Sequence, residues 1–347
     1  MIRTLMSILH NIVCCGLNRT GGCKPLFPLY HMTPFCNLKC AYCDGFPELG
    51  LPGEKATGWN AVDEGRYQLS TADVKALIGI LKHSFDFLFL TGGEPLVRRD
   101  VEEIIDFAGS LGFTGISINT NSILLPEKEG ILKHVSNLVV SLDMLDAERY
   151  SGILGCDTGT VKKIIGNVER YKECEREYGY KLSVHTVILP GKIHLAEDVL
   201  DFCLGRDIAV CLSPLQIDYD AHASFEGDTG YRRLIDRLIG LKKSGGNVSG
   251  TVKYYENIRQ LEKFRCIPIL VPRILPNGNI LYPCRPKGDI AGNILQLGSW
   301  ERTLGDAVRR YGKIEECDRS CRIRCYIEPS LIMKHPVSVI GEFLGQL

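Results

Sequence analysis

Cys36, Cys40 and Cys43 carry the strongest chemical signal in this sequence. They stand at the spacing Cys-x3-Cys-x2-Cys within His31-Met-Thr-Pro-Phe-Cys-Asn-Leu-Lys-Cys-Ala-Tyr-Cys-Asp44, just after a short apolar run that ends at Phe35. Three thiolates on one tight loop can hold three corners of a cubic iron–sulfur cluster, because soft sulfur ligands suit iron and sulfide. No further cysteine occurs before Cys156, so one iron would be left without a protein ligand and open to a substrate or cosubstrate. The competing use of these thiols is a zinc knuckle, which pairs Cys-x2-Cys with a second Cys/His pair. His31 lies five residues before Cys36 and nothing suitable follows soon after Cys43, so the spacing favours the cluster.

A second group of cysteines lies toward the C-terminus. Cys266 precedes the apolar run 269–275, and Cys284 ends the run 280–284. Asn277-Gly278 between the two runs is a strong hairpin signal. Cys317, Cys321 and Cys325 then recur at Cys-x3-Cys-x3-Cys. A structural zinc site built from four of these five is one use for them. Cys14, Cys15, Cys23, Cys156, Cys174, Cys203 and Cys211 read as buried or incidental thiols.

With Tyr42 in its aromatic slot, Cys-x3-Cys-x-aromatic-Cys resembles the signature of the radical S-adenosylmethionine (SAM) superfamily. Gly92-Gly93-Glu94-Pro95 is similar to that family's Gly-Gly-Glu-Pro segment. The resemblance implies that this backbone and Glu94 hold the amino group of the methionine moiety. Glycines permit close backbone approach, and a carboxylate accepts from an ammonium. It also implies roles for Asn119, Asn121, Ser141 and Asp143 on the methionine carboxylate and ribose hydroxyls. Ser141 and Asp143 are the preferred pair, although Asp143 reads as a turn cap as well. Pro214, Leu215 and Gln216 would border the adenine, and Asp218, Tyr219, Asp220 and His222 would touch substrate. His185 reads as a core histidine.

The C-terminal cysteines resemble the SPASM or shorter twitch extensions of radical SAM proteins, which carry auxiliary 4Fe–4S clusters. Gly278 to Cys284 is one residue longer than the common Gly-x4-Cys, and five cysteines are too few for two fully ligated clusters. The resemblance therefore implies a single second 4Fe–4S cluster, held by four of Cys266, Cys284, Cys317, Cys321 and Cys325, with the spare one left open. The implied activity is reductive cleavage of SAM to a 5′-deoxyadenosyl radical that abstracts hydrogen from a small molecule, peptide or lipid. An electron donor such as ferredoxin or flavodoxin is implied with it.

The rest of the chain must place these motifs. Apolar runs at 29–35, 85–90, 115–119, 137–142, 181–189 and 208–213 predict six strands, and helical patterns at 70–82, 99–110, 127–134, 158–178 and 195–205 alternate with them. Such alternation calls for a parallel sheet with right-handed crossovers, its functional loops at the C-terminal strand ends. The expected fold is α/β: a partial (β/α)6 barrel with a small C-terminal hairpin and Cys-rich auxiliary-cluster module. The expected organisation is an amphipathic extension over 1–28, the barrel over 29–244, a helical linker over 245–265, the cluster module over 266–330 and an apolar tail over 331–347. Segment 44–69, rich in Gly and Pro, reads as a lid.

Charge and length bound the function. Forty-one basic and 41 acidic residues cancel, so no global field recruits nucleic acid, and none is expected as a partner. Fifteen cysteines without a convincing export signal point to metal in a reducing, cytoplasmic compartment. The apolar residues Ile2, Leu5, Leu9, Ile12 and Val13 fall at helical spacing. Together with Val337, Ile340, Phe343 and Leu344 they admit a peripheral membrane enzyme acting on a lipid or isoprenoid. The favoured expectation is that both ends pack on the barrel. A non-catalytic redox sensor or zinc scaffold is the rival from another class, and Gly92–Pro95 argues against it.

Overall fold

The computed structural model describes residues 2–17, 19, 22–49, 65–217, 220–221, 223–261, 264–312, 317, 321–336 and 342. Six parallel strands pair in sequence order: β1 (Leu29–His31), β2 (Phe87–Thr91), β3 (Gly115–Thr120), β4 (Asn137–Ser141), β5 (Lys181–Ile188) and β6 (Ala209–Pro214). β7 (Gln216–Ile217) and β8 (Asp220–Ala221) form a separate two-stranded ribbon. The helices are α1 (Ile2–Gly16), α2 (Thr71–Ser84), α3 (Val101–Ser110), α4 (Ala147–Leu154), α5 (Thr158–Glu173), α6 (Ile193–Leu204), α7 (Thr229–Lys243), α8 (Val252–Gln260), α9 (Trp300–Tyr311) and α10 (Arg324–Lys334), besides shorter turns. Ser70 caps α2 as its position predicts, its hydroxyl accepting from the Asp73 amide.

Period-two alternation sorts the strand side chains into two sets. Leu88, Leu90, Ile118, Leu138, Val140, Leu182 and Val184 are buried in the core. The alternate residues, among them Phe89, Asn119, Val139, Ser183 and His185, face an inner cavity. The predicted hairpin forms as β9 (Arg273–Ile274) and β10 (Asn279–Tyr282), with Gly278 at φ +83° in its turn. It does not stand apart from the barrel strands: β9 pairs in parallel with β1, and β11 (Asp289–Asn293) adds antiparallel to β10. One open sheet of nine strands results, with β6 and β11 at its edges.

Several local expectations are corrected. The helix expected at 127–134 is a pair of 3-10 turns, and the one expected over 158–178 divides at Cys174. α4, β11 and α9 have no counterpart among the expected elements. α1 is helical as expected, but it docks through the other face. The Thr4 amide donates to the Asp86 carboxylate at 3.1 Å, Asn11 exchanges hydrogen bonds with the Lys24 backbone at 2.8 and 2.6 Å, and Ile8 is fully buried. These contacts turn Ile2, Leu5, Met6, Leu9 and Val13 outward, so Leu5 and Leu9 do not pack on the barrel. Residues 50–64 of the expected lid, Asp218, Tyr219, His222 and the tail residues Val337, Ile340, Phe343 and Leu344 lie outside the described residues. No helix among the described residues is long and apolar enough to cross a membrane.

Candidate active site

The cysteine loop follows β1 and is fixed from three sides. Beneath it, the Gly93 amide donates to Thr33 O at 2.8 Å and the Glu94 amide to Phe35 O at 2.7 Å. This backbone contact is why both glycines are needed: a Cβ at Gly92 would sit 2.7 Å from Thr33 O, and one at Gly93 only 2.2 Å from Phe35 O. On a second side, the Lys39 and Ala41 amides donate to Leu154 O and Ile153 O, each at 2.9 Å, at the end of α4. Gly155 ends that helix in the left-handed region at φ +64°, and a Cβ there would meet Lys39. From the third side, Arg285 of the C-terminal module pairs with Glu48 at 2.8 Å and donates to Gly45 O at 2.6 Å.

The polar residues at the strand ends join this framework. Glu94 is buried and its carboxylate accepts from Thr120 Oγ1 (2.7 Å), the Asn121 amide (2.7 Å) and the Leu96 amide (3.0 Å). Burial pushes its pKa up to about 7 despite those donors. Asn121 also donates its side-chain amide to Asn37 in the cysteine loop at 2.7 Å. Tyr42 donates to Asp143 in a short hydrogen bond, and Asp143 accepts as well from Tyr150 Oη (3.2 Å) and the Val187 amide (2.7 Å). Asp143 is thereby a buried anchor for the aromatic residue of the motif, its carboxyl raised by burial. Ser141 Oγ lies 3.4 Å from Asn119 Oδ1 on the cavity side of the sheet.

Cys36 and Cys40 are half-buried and Cys43 is exposed. Burial and then Glu94 push the Cys36 thiol up to about 12; burial and then Cys36 and Cys43 raise Cys40. Thiols held in this state deprotonate on ligation, when a metal's positive charge replaces the missing solvent. Three soft donors on one backbone-braced loop fit a cubane with one unligated iron. No group of three or more His, Cys, Asp or Glu among the described residues is drawn together at the spacing of a single bound ion. A cubane seats each thiolate on a separate iron and asks for a wider spacing.

The C-terminal cysteines divide. Cys266 and Cys317 exchange backbone hydrogen bonds at 2.8 and 2.9 Å. Burial raises Cys266, and Cys321, Cys284 and Cys317 are its acidic neighbours. Cys284 and Cys321 are pushed up to about 11 and about 12 by burial, and each has Cys317 for a neighbour. Cys325 neighbours Cys321, and its sulfur accepts from Arg273 Nη2 at 3.1 Å and faces the inner cavity.

That cavity, about 630 Å3, runs along the inner face of the sheet beneath Tyr42 and Asp44. α10 contributes Arg324, Cys325, Glu328 and Pro329 to its wall. His185, expected as a core residue, faces it and shares a 3.0 Å hydrogen bond with Ser213; burial pushes its imidazole down to about 4. Among the described residues, two lining side chains have buried nitrogens without a hydrogen-bond partner: both ring nitrogens of His31, and Nε of Arg273. Burial, then Arg273 and Arg285, hold His31 far below its usual range, so the ring is neutral. Arg273 is marked in the sequence by nothing more than a single charge inside the apolar run Ile269-Leu-Val-Pro-Arg-Ile-Leu275.

Comparison with known proteins bears on this arrangement. A GTP 3′,8-cyclase of Listeria welshimeri is 30% identical over 186 residues, 52% of this chain and 50% of that protein. A probable GTP 3′,8-cyclase of Archaeoglobus fulgidus is 37% identical over 146 residues, 42% of this chain and 43% of the relative. The chain thus spans about half the length of these curated relatives or less. Among solved structures, Streptococcus suis SuiB bound to precursor peptide SuiA aligns with a TM-score of 0.60 at 17% identity, over 85% of this chain and 71% of that one. The enzyme anSMEcpe with bound AdoMet aligns with a TM-score of 0.57 at 15% identity, over 83% and 81% of the two chains. At such identities these two likenesses speak to the fold alone. Residues 30–203, from β1 through α6, match the family described as the Radical SAM superfamily, and the chain belongs to that superfamily.

Proposed function

We propose that this enzyme abstracts hydrogen from a substrate bearing an acidic group, held in the inner cavity between His31 and Arg273. The observation that carries the substrate reading is that these two buried polar side chains face one cavity with unpartnered nitrogens. Leaving such groups unpaired costs about 1–3 kcal/mol each, a cost a ligand would relieve. Arg273 supplies a permanent cation, and the neutral ring of His31 can donate or accept. Arg285 and Arg324 line the same wall but are paired with Glu48 and Glu328, each at 2.8 Å, so the attraction for an acid rests on Arg273. GTP, the purine nucleoside triphosphate for which the cyclase relatives are named, is one acid of this class.

Cys36, Cys40 and Cys43 would ligate the 4Fe–4S cluster, and Glu94 would accept from the amine of SAM. When bound, the two supply reductive cleavage of the sulfonium C5′–S bond and a 5′-deoxyadenosyl radical that takes hydrogen from an unactivated carbon. Asn119 and Ser141 are suited to the ribose hydroxyls, while Asp143 acts by holding Tyr42. The barrel wall and α10 would narrow water's access to the cavity once substrate fills it. Cys266, Cys284, Cys317 and Cys321 would hold an auxiliary cluster in a SPASM- or twitch-like module. A ferredoxin or flavodoxin would donate the electron.

The test is anaerobic incubation of reconstituted protein with SAM and a strong reductant, with and without acid-bearing metabolites that include GTP. Wild type and Arg273→Met should both release 5′-deoxyadenosine slowly without substrate. Only wild type should accelerate on meeting its substrate. Equal acceleration of the variant would remove Arg273 from recognition, and no 5′-deoxyadenosine from wild type would remove the radical reading itself.

A further inference from the structure

We infer that the outer face of α1 docks on an anionic lipid surface. Ile2, Leu5, Met6, Leu9 and Val13 follow one another at i, i+3, i+4, i+7 and i+11, which places them in a single stripe along the helix. All are exposed, from 43% for Leu5 to 80% for Ile2, and Leu17 extends the stripe at 61%. Soluble surfaces scatter such side chains singly; a continuous aliphatic stripe marks something that covers it.

Charge selects the occupant. No Asp or Glu precedes Asp44, although the chain as a whole is balanced, and Arg3, Arg19, Lys24 and Lys39 all fall in that stretch. Arg3 flanks the stripe and donates to the Lys82 carbonyl at 2.7 Å, beside the basic last turn of α2 with Lys82 and His83. Arg19 and Lys24 lie exposed beyond the other end of the helix, the Lys24 backbone fastened to Asn11. An aliphatic stripe with a cationic margin, on a segment that itself carries no acid, is the pattern that lies in the headgroup layer of anionic bilayers; Glu301, bonded to Ser84 at the end of α2, is the acid nearest that margin in the contacts of α2.

The docking face is rigidly held rather than tethered. Thr4, Ile8 and Asn11 are buried on the opposite side of α1, and the helix packs against α10. α10 is also the helix that sends Arg324, Cys325, Glu328 and Pro329 into the cavity wall. A bilayer on α1 would therefore lie one helix away from the cavity, which opens the acid-bearing substrate class to lipid phosphates. Docking itself does not rest on the catalytic reading, since it needs neither cluster nor SAM.

The experiment is co-sedimentation of the full chain with phosphatidylglycerol or phosphatidylcholine vesicles, together with its melting temperature and its mass in solution. Wild type should pellet with phosphatidylglycerol and much less with phosphatidylcholine, and added salt should weaken the binding. Leu9→Gln with Val13→Gln removes apolar surface without changing charge; it should lower vesicle binding about tenfold at an unchanged melting temperature. Arg19→Gln with Lys24→Gln should narrow the preference for the anionic lipid. Wild type left in the supernatant with both vesicles overturns the inference. So does a clear fall in melting temperature of the Leu9/Val13 variant, which would mean that the stripe packs on this chain. A wild-type dimer that becomes monomeric in that variant, without vesicle binding, would give the surface to a second copy instead.

Discussion

Asn121 donates its side-chain amide to Asn37 at 2.7 Å, while its backbone amide donates to Glu94 at 2.7 Å. One residue at the end of β3 thus ties the cysteine loop to the Gly-Gly-Glu-Pro segment, and only the first tie depends on its side chain. Asn121→Ala should cost about 1 kcal/mol of stability, the net worth of one hydrogen bond. Its larger effect should be on the loop. Iron loss to a chelator should quicken several-fold while the melting temperature moves little. Iron retained as firmly as in wild type would show that the Lys39 and Ala41 contacts suffice.

Gly93→Ala puts a methyl group 2.2 Å from a backbone carbonyl that no side-chain rotation can move aside. The strand end must shift, at about 1–3 kcal/mol or more, and the cysteine loop with it. Gly79→Ala, inside α2 with nothing within 4 Å of the added carbon, is the matched control. It should gain about 0.5–1 kcal/mol. Urea unfolding of both variants checks the signs, and a Gly93→Ala protein as stable as wild type would mean the close approach is not fixed.

What the sequence reveals is uneven, for physical reasons. The six barrel strands are legible because their apolar runs are continuous and end in polar or glycine-rich turns. Glu94 and Asp143 are legible as residues but not as contacts, because the partner of each lies on another strand or loop; Tyr42 and Asp143 are 101 positions apart. α4 is only eight residues long and gives little period to read, though Asp146 caps it and Gly155 ends it. Leu5 and Leu9 show the limit of amphipathicity. Periodicity identifies a two-faced helix, but polar anchors at Thr4 and Asn11 decide which face turns inward.

The division among the C-terminal cysteines gives separate expectations for iron. Cys325 sits in the cavity wall with its sulfur engaged by Arg273, whereas Cys284, Cys317 and Cys321 are the thiols that act on Cys266. Cys284→Ser should lower the iron content by about half, taking two cubane clusters as the full load. Cys325→Ser should leave it unchanged. Iron lost in the Cys325 variant but kept in the Cys284 variant would reverse the assignment.

Glu94 makes stability depend on pH in a direction its burial fixes. Its pKa rises from an ordinary 4.5 to about 7, so the folded chain without ligand favours the protonated form up to about pH 7. A raised pKa contributes stability that is fully present below about pH 4.5 and is lost as pH climbs through about 7. A shift of this size corresponds to roughly 3 kcal/mol between those limits, by the usual conversion of 1.36 kcal/mol per unit. Screening takes little from the figure, because the carboxyl is buried. Glu94→Gln cannot ionise, so the stability of wild type relative to this variant should fall by about 2–3 kcal/mol from about pH 4.5 to pH 7.5. Other groups drop out of that difference. His31 stays neutral and Cys36 stays a thiol in both proteins over this range. Urea unfolding at several pH values, without SAM, measures it. A difference that stays flat with pH would mean that Thr120 and the Asn121 and Leu96 amides already hold Glu94 as a carboxylate, ready for an amine at neutral pH.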